Sequence, residues 1–269
     1  MKITVLIAHY NNGRFFKDCY DSLCKQTYAD FNILIVDDVS TDDSLSTIKR
    51  LTNKDSRVKI LKNDQNMGVG FTKKKLAESF ETEIGAFLDP DDALTENAIE
   101  IVMQIYKERE YISATYSRFY YCDAALKPKE IFKKTRKIKP GKPDFFNIHF
   151  EIAHFFTFKK EAYFKTEGIN PHLKTAEDQD FYLKMYETGK IHFINLPLYY
   201  YRVHQKGLSH DAANEKRSFE NWHLALKLAA ERRGLAKIYN TDVNDIQNLP
   251  EFLFKKENSM LNKIIRKFS

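Results

Sequence analysis

Cysteine is scarce in this chain: Cys19, Cys24 and Cys122 are the three among 269 residues. An odd number without C-x-x-C spacing argues against a disulfide framework and against a thiolate zinc site. No run of about 18 apolar residues occurs, so no transmembrane helix is expected. The opening MKITVLIAHYNN is too short in apolar residues for a signal-peptide core, which makes a cytoplasmic chain the expectation. No G-x-G-x-x-G follows the first apolar run, which disfavours a nicotinamide-dependent oxidoreductase. No internal repeat and no Gly/Ser linker divide the chain. The charge is not lopsided either. Lys plus Arg number 43 against 37 Asp plus Glu, a formal net of +6 that permits anionic partners without calling for nucleic acid. With 43% hydrophobic residues the composition is that of a folded globular protein, ample for a real core.

What is present is a rhythm. Residues 3–8 (ITVLIA), 32–36 (NILIV), 58–61 (VKIL) and 84–88 (IGAFL) read as buried strands. Between them, 14–25, 41–52 and 69–80 carry helical patterns, and 95–108 carries a fourth. Phe15, Phe16, Cys19 and Leu23 fall near one face of the first helix. Strands alternating with helices of this length predict βαβ units and a mainly parallel sheet flanked by helices. Such sheets bind ligands beyond the carboxyl ends of their strands. Those ends carry His9-Tyr10-Asn11, Asp37-Asp38 and Asp89-Pro90-Asp91-Asp92.

The second half breaks the rhythm. Residues 111–122 read as a strand, and 149–158 and 191–203 as aromatic-rich strands flanking a helix at 177–188. Residues 127–142 hold eight Lys or Arg against one Glu and read as a solvated loop, with a lid or acceptor-contact loop as the alternative. A long helix is expected from Asp211 to about Arg233, with Phe219, Trp222, His223, Leu226, Ala229 and Ala230 on one stripe. The expected organisation is one α/β domain over 1–210, with halves 1–110 and 111–210, followed by a helical tail over 211–269.

The acidic turn at 89–92 follows a strand, and oxygen ligands on a short turn suit Mg²⁺ or Mn²⁺. A Pro-Asp turn leading into a helix explains the same residues without a metal. Asp37-Asp38 has a capping alternative of the same kind. Thr175-x-x-Asp178 ahead of a helix fits a capping box, which by itself accounts for an acidic residue there.

Six short motifs in order carry a resemblance across roughly residues 1–210. They are AHYN at 8–11, VDDVSTD at 36–42, NMGVGFTKKKLA at 66–77, FLDPDD at 87–92, AEDQDF at 176–181 and YYYRVHQKGLS at 199–209. Together they resemble the inverting family 2 glycosyltransferases of the GT-A fold. The departures are Ala8 where Pro is usual, Val39 for Gly, Gly70 for Ser, Lys73 for Arg, Lys74 for Asn and Ala176 for Gly. The resemblance implies a metal-dependent transfer of a sugar from a nucleotide donor, a UDP-sugar, to a hydroxyl of a glycan or lipid-linked acceptor in cell-surface polysaccharide synthesis. It implies that Ala8, Tyr10, Asn11, Asp37 and Asp38 hold the base and ribose. Asn66 would bind the donor nucleotide, Gly68 and Lys73 would face the diphosphate, Asp89 the ribose or donor sugar, and Asp91 a Mn²⁺ or Mg²⁺ ion. Asp178 would be the general base and Glu177 would orient the acceptor. Arg202, His204 and Lys206 would approach the diphosphate or metal.

Three rival readings are weaker. A sugar-1-phosphate nucleotidyltransferase wants a Gly-rich, Arg-containing loop where this chain has HYNNGR. A Mg²⁺-binding receiver module would end near residue 120 and leave AEDQDF and YYYRVH unexplained. A catalytically silent nucleotide-binding relative acting as a partner subunit is opposed by the intact acidic set. One feature lies outside the resemblance. Residues 255–269 carry five Lys or Arg and one Glu, with Met260, Leu261, Ile264, Ile265 and Phe268 on one helical face. Such a helix suits peripheral contact with an anionic membrane, or packing on the domain.

Overall fold

The computed structural model describes residues 1–204 and 212–259, with side chains in the second stretch from residue 217 onward. Strands β1 (Ile3–His9), β2 (Phe31–Asp37), β3 (Val58–Lys62) and β4 (Ile84–Phe87) alternate with helices α1 (Gly13–Cys24), α2 (Ser44–Thr52) and α3 (Val69–Ser79). The pairings β3–β2, β2–β1 and β1–β4 are all parallel. Both faces of this sheet are covered, which is why its strands are nearly all apolar. Ile3, Val5 and Ile7, with Phe31, Ile33 and Ile35, join the core cluster built with α1 and α4 (Ala98–Glu108). Leu6, Leu34 and Val36 point the other way, to Leu76 and Ala77 of α3. The period of two thus separates two cores. Burying each such side chain contributes on the order of 1.5–3 kcal/mol.

The second half extends the same sheet. Its further strands are β5 (Ala93–Leu94), β6 (Ile112–Cys122), β7 (Pro128–Ile131), β8 (Thr157–Lys159) and β9 (Lys190–Arg202), and the order is β3-β2-β1-β4-β8-β6-β9-β5, with β7 on β6. Strand β8 is antiparallel to both neighbours, β6 and β9 are parallel, and β5 runs antiparallel to β9. The short α5 (Lys160–Tyr163) and the longer α6 (Glu177–Thr188) precede β9. The α/β class, the flanking helices and the helical C-terminal part are therefore as expected.

Four details differ from the sequence reading. Residues 149–156 are not strand; the strand is confined to 157–159. Buried side chains hold this irregular stretch in place of a ladder. Asn147 both donates to the Ile152 carbonyl (3.0 Å) and accepts from its amide (2.8 Å). The basic stretch 127–142 is not loop throughout, because Pro128–Ile131 pairs antiparallel with the last residues of β6. Proline at the start of an edge strand loses no ladder bond. The helices expected from Thr41 and Thr95 begin at Ser44 and Ala98, and residues 93–94 join the sheet instead. In α1, Phe16, Cys19, Tyr20 and Leu23 are the buried stripe, and Phe15 lies outside it.

Helix α7 (Ala212–Arg232) and α8 (Leu249–Glu257), with the hairpin β10 (Lys237–Ile238) and β11 (Thr241–Asp242) between them, form the tail. Leu226, Ala229 and Ala230 pack with Leu183 of α6 and with Leu249 and Leu253 of α8 in a third cluster. Phe219, expected on the same stripe, is 44% exposed. Among the described residues no helix is long and apolar enough to cross a membrane. Of the amphipathic segment 255–269, residues 255–257 belong to α8, and the apolar stripe from Met260 to Phe268 lies outside the described residues.

Two of the departures from glycine sit where glycine is most useful. Val39 has φ 62° and Ala176 has φ 59°, both left-handed. A β-branched residue there is strained, because its Cβ crowds the following carbonyl. Val39→Gly should therefore raise stability by about 1 kcal/mol, the strain relieved less the extra chain entropy of glycine. At this size that is an increase of about 2–4 °C in Tm, readable by calorimetry. A decrease would show that Val39 packing outweighs its backbone strain.

Candidate functional site

The polar residues gather where β1, β2 and β4 end. His9 and Asp37 are register partners on β1 and β2. The Asp37 carboxylate is buried and accepts from the Ser40 hydroxyl (2.6 Å) and amide (3.1 Å), with His9 Nδ1 at 3.3 Å. Burial lowers the His9 pKa and outweighs the opposing pull of Asp37. Asn11, at φ 50°, accepts from the Thr41 amide (2.8 Å), and its own amide donates to Ser40 Oγ (3.0 Å). Asparagine tolerates that conformation well. Asp38 accepts from Asn63 Nδ2 (2.7 Å) and from the amides of Met67 (2.9 Å) and Gly68 (2.7 Å). These bonds tie the loops after β1, β2 and β3 into one rim, on which Tyr10, Asn11 and Asn66 are exposed and Ala8 is half-buried.

The acidic turn is locked to β9. Asp92 is buried and accepts from the Tyr199 hydroxyl (2.7 Å) and the Arg202 amide (2.7 Å), and its pKa is pushed well up, by burial first and by Asp91 and Asp89 next. Arg202 is 4% exposed. It donates to the Asp91 carbonyl (2.6 Å), the Ala124 carbonyl (2.6 Å) and Asp18 (2.7 Å), and its guanidinium lies 4.4 Å from the Phe15 ring centroid. Phe15 also packs against His204 at 4.6 Å. Held this way, His204 Nε2 lies 2.9 Å from Asp91 Oδ2. The pairing of β5 with Tyr199 and Tyr200 continues the lock.

The third part comes from α3 and α6. Lys73 Nζ is 2.8 Å from Glu177 Oε1 and 3.7 Å from Asp89 Oδ1. Asp178 lines the same pocket, with His154, Tyr182 and Tyr199 among its walls. Helix α6 has Ala176 as its N-cap, in the left-handed conformation and with no side-chain cap bond. The capping-box account of Asp178 through Thr175 therefore does not hold. Burial raises the pKa of Asp178, against the Lys73 charge, and does the same to Glu177. For Lys73 burial alone would lower the pKa, yet Asp89, Glu177 and Asp178 together hold it well above the usual range.

So the structure brings Lys73, Asp89, Glu177 and Asp178 to one pocket and sets Asp91 against His204. The polar groups of Asp37, Asp38, Gly68 and Arg202 bond within the protein. Lys206 lies outside the described residues. Sequence reasoning missed Asp18, Asn63, Asp92, Tyr199 and His154. Asp92 and Tyr199 stood inside recognised motifs, whereas nothing in the sequence pointed to Asp18. Among the described residues no group of three or more His, Cys, Asp or Glu is arranged to hold a metal ion by itself.

Residues 4–165 match the family model described as Glycosyl transferase family 2. The hyaluronan synthase of Pasteurella multocida is 24% identical over 262 residues, covering 94% of this chain and 26% of that protein. The chain thus spans about a quarter of the length of that relative. Among solved structures, S. aureus TarS 1–349 in complex with UDP superposes with a TM-score of 0.71 at 20% identity, over 97% of this chain and 73% of that one. A mannosyltransferase from Pyrobaculum calidifontis, in complex with GDP-Man and Mn²⁺, gives 0.57 at 13% identity, over 97% and 82%. At these identities the likeness is one of fold.

The raised pKa of Asp178 fixes a sign. The folded chain holds that proton more tightly than the unfolded chain, so the group favours folding at low pH and loses that contribution as pH rises through its folded pKa. Asp178→Asn removes this charge, carried on a half-buried side chain. Its Tm should equal or exceed the parent's at pH 8, with the gain shrinking toward about pH 4, the ordinary carboxylate range. Thermal melts across that range measure it, and a lower Tm at pH 8 would instead make Asp178 a structural anchor.

Proposed function

The chain belongs to glycosyl transferase family 2, and from that membership we propose that it moves a hexose from a UDP-linked donor to a hydroxyl of a glycan or lipid-linked saccharide, with inversion. The observation that carries this reading is the convergence of Lys73, Asp89, Glu177 and Asp178 on one aromatic-walled pocket beside the Asp91–His204 pair. The TarS and mannosyltransferase structures, whose own descriptions name UDP and GDP-Man, support a nucleotide-sugar donor. The hyaluronan synthase supports a polysaccharide product.

In this reading the rim of exposed Tyr10, Asn11 and Asn66, with half-buried Ala8, receives the nucleoside. Asp37 and Asp38 shape that rim through Ser40, Asn63, Met67 and Gly68 in place of direct contact. Because the Gly68 amide already serves Asp38, Lys73 carries the attraction for the diphosphate. Asp89 faces the sugar. Asp178 takes the proton from the acceptor hydroxyl as that oxygen attacks the anomeric carbon, opposite the departing nucleotide, while Glu177 orients the acceptor. A base with a raised pKa drives this transfer better than an ordinary carboxylate. Arg202 acts by positioning the acidic turn.

The donor set at Asp91 and His204 fits a divalent ion shared with a substrate diphosphate, which needs only one or two protein ligands. Mg²⁺ or Mn²⁺ held there would neutralise charge on the leaving diphosphate. We also propose peripheral contact with the cytoplasmic face of a membrane through residues 255–269, on the sequence pattern alone.

Turnover of a panel of nucleotide sugars, with and without Mn²⁺, tests the reading, and absence of any turnover or binding sinks it. Asp178→Asn should keep UDP affinity while kcat falls by about 10²–10⁴-fold. Asp91→Ala should lose the metal-dependent part of UDP binding in calorimetry, and an unchanged affinity removes Asp91 from the site. For the tail, sedimentation with anionic vesicles at low salt should separate the full chain from one ending at Ser259, a cut that spares α8. If both stay in the supernatant, the membrane contact is wrong.

A further inference from the structure

His154 is absent from every motif above, yet it lines the pocket with Lys73, Asp89, Glu177 and Asp178. Its backbone is pinned to β6. Its carbonyl accepts from the Ser117 amide (3.2 Å), and the next amide, of Phe155, donates to Ser117 Oγ (3.2 Å). Three aromatic rings fix the imidazole plane. Tyr199 stacks on it at 4.8 Å and 14°, Tyr201 at 5.3 Å and 27°, and Phe119 meets it edge-on at 5.2 Å. Its ring nitrogens bond to no group among the described residues, and neither is among the buried polar atoms sealed away without a partner. They are therefore reachable from outside the core, and the pocket is the cavity that this residue lines. Burial lowers the His154 pKa to about 4, even with Asp89 and Asp91 pulling it upward.

A neutral imidazole carries one N–H donor and one acceptor nitrogen. The carboxylates around it accept hydrogen bonds and Lys73 donates, whereas the imidazole offers both, which is what a hydroxyl needs. Phe87, Phe156 and Phe181 add apolar wall against which the C–H face of a pyranose can lie. If His154 served only to pack between aromatic rings, phenylalanine would do so without leaving polar nitrogens unpaired. Acid or base chemistry is the wrong task for it, because its proton is gone well below neutral pH.

We propose that His154 is a specificity-determining residue that binds a hydroxyl of the donor sugar, an inference that rests on the nucleotide-sugar reading above. The test is calorimetry of the full chain with Mn²⁺, using UDP, UDP-glucose, UDP-galactose and UDP-N-acetylglucosamine as probes. His154→Phe keeps the stack and deletes both nitrogens, and His154→Gln restores a donor and an acceptor. In the parent protein at least one sugar should tighten binding over UDP alone. His154→Phe should weaken that nucleotide sugar by about tenfold while UDP affinity stays within about twofold, and His154→Gln should recover part of the loss. A merely structural role would shift UDP and UDP-sugar together. The inference is overturned if His154→Phe binds every probe as the parent does, or if no sugar changes the affinity of UDP. A parent protein that binds none of the four overturns the donor reading itself, and this inference with it.

Discussion

Lys73 Nζ stands between Glu177 at 2.8 Å and Asp89 at 3.7 Å, almost buried, with Asp178 in the same pocket. Three carboxylates from two different elements converge there, and without a cation they would repel one another in a site with little water. The ammonium comes from α3, in the first half of the chain, and Glu177 and Asp178 come from α6, in the second. The contact therefore joins the parallel sheet to the half that follows it. Leaving such carboxylates unpaired typically costs about 3–5 kcal/mol, a large share of the stability of a domain. The raised values of Glu177 and Asp178 show that one ammonium only partly compensates their burial. A pocket that holds two such carboxylates is thus a costly one to fold.

A second lock sets the acidic turn. Asp92 takes the Tyr199 hydroxyl and the Arg202 amide, and Arg202 reaches the Asp91 carbonyl, Asp18 and Ala124. Because β9 lies beside β6, β6 beside β8 and β8 beside β4, the turn after β4 is held from both ends of one continuous sheet. The position of His204 against Asp91 follows from this frame and from the Phe15 ring beneath both His204 and Arg202.

The first half was legible because burial on both faces demands continuous apolar strands, and helices demand their own period. ITVLIA and NILIV admit few other readings. The stretch 149–156 was not legible. Its aromatic run has the look of a strand, but its backbone is satisfied by the side chains of Asn147, five residues before Ile152, and of Ser117, far off in sequence. The candidate site divides in the same way. Asp89, Asp91, Glu177 and Asp178 were read from local motifs. The roles of Asp38 and Arg202 depend on which distant amide or carboxylate each meets, which one-dimensional spacing does not contain. His154 escaped for that reason too, since its pocket is assembled from α3, β4, α6 and β9.

The departures from the family pattern around this pocket are linked. A Cβ on Gly70 would lie 2.5 Å from the Leu173 carbonyl oxygen and 2.8 Å from that of Asn170. Serine, usual at this position, would push the 170–173 segment away from α3. With glycine there the segment closes on the helix, and α6 begins four residues later, after the left-handed turn at Ala176. That closeness brings Glu177 within reach of a lysine at position 73. A guanidinium in the same place would present a rigid planar fork, suited to one carboxylate held bidentately. The compact ammonium instead meets Glu177 and Asp89 from two directions. In this chain the missing Cβ at position 70 permits the close approach of the 170–173 segment, and the ammonium at position 73 spans the gap to Glu177 and Asp89. Restoring serine at position 70 alone would separate Lys73 from Glu177, whereas restoring arginine alone would crowd it.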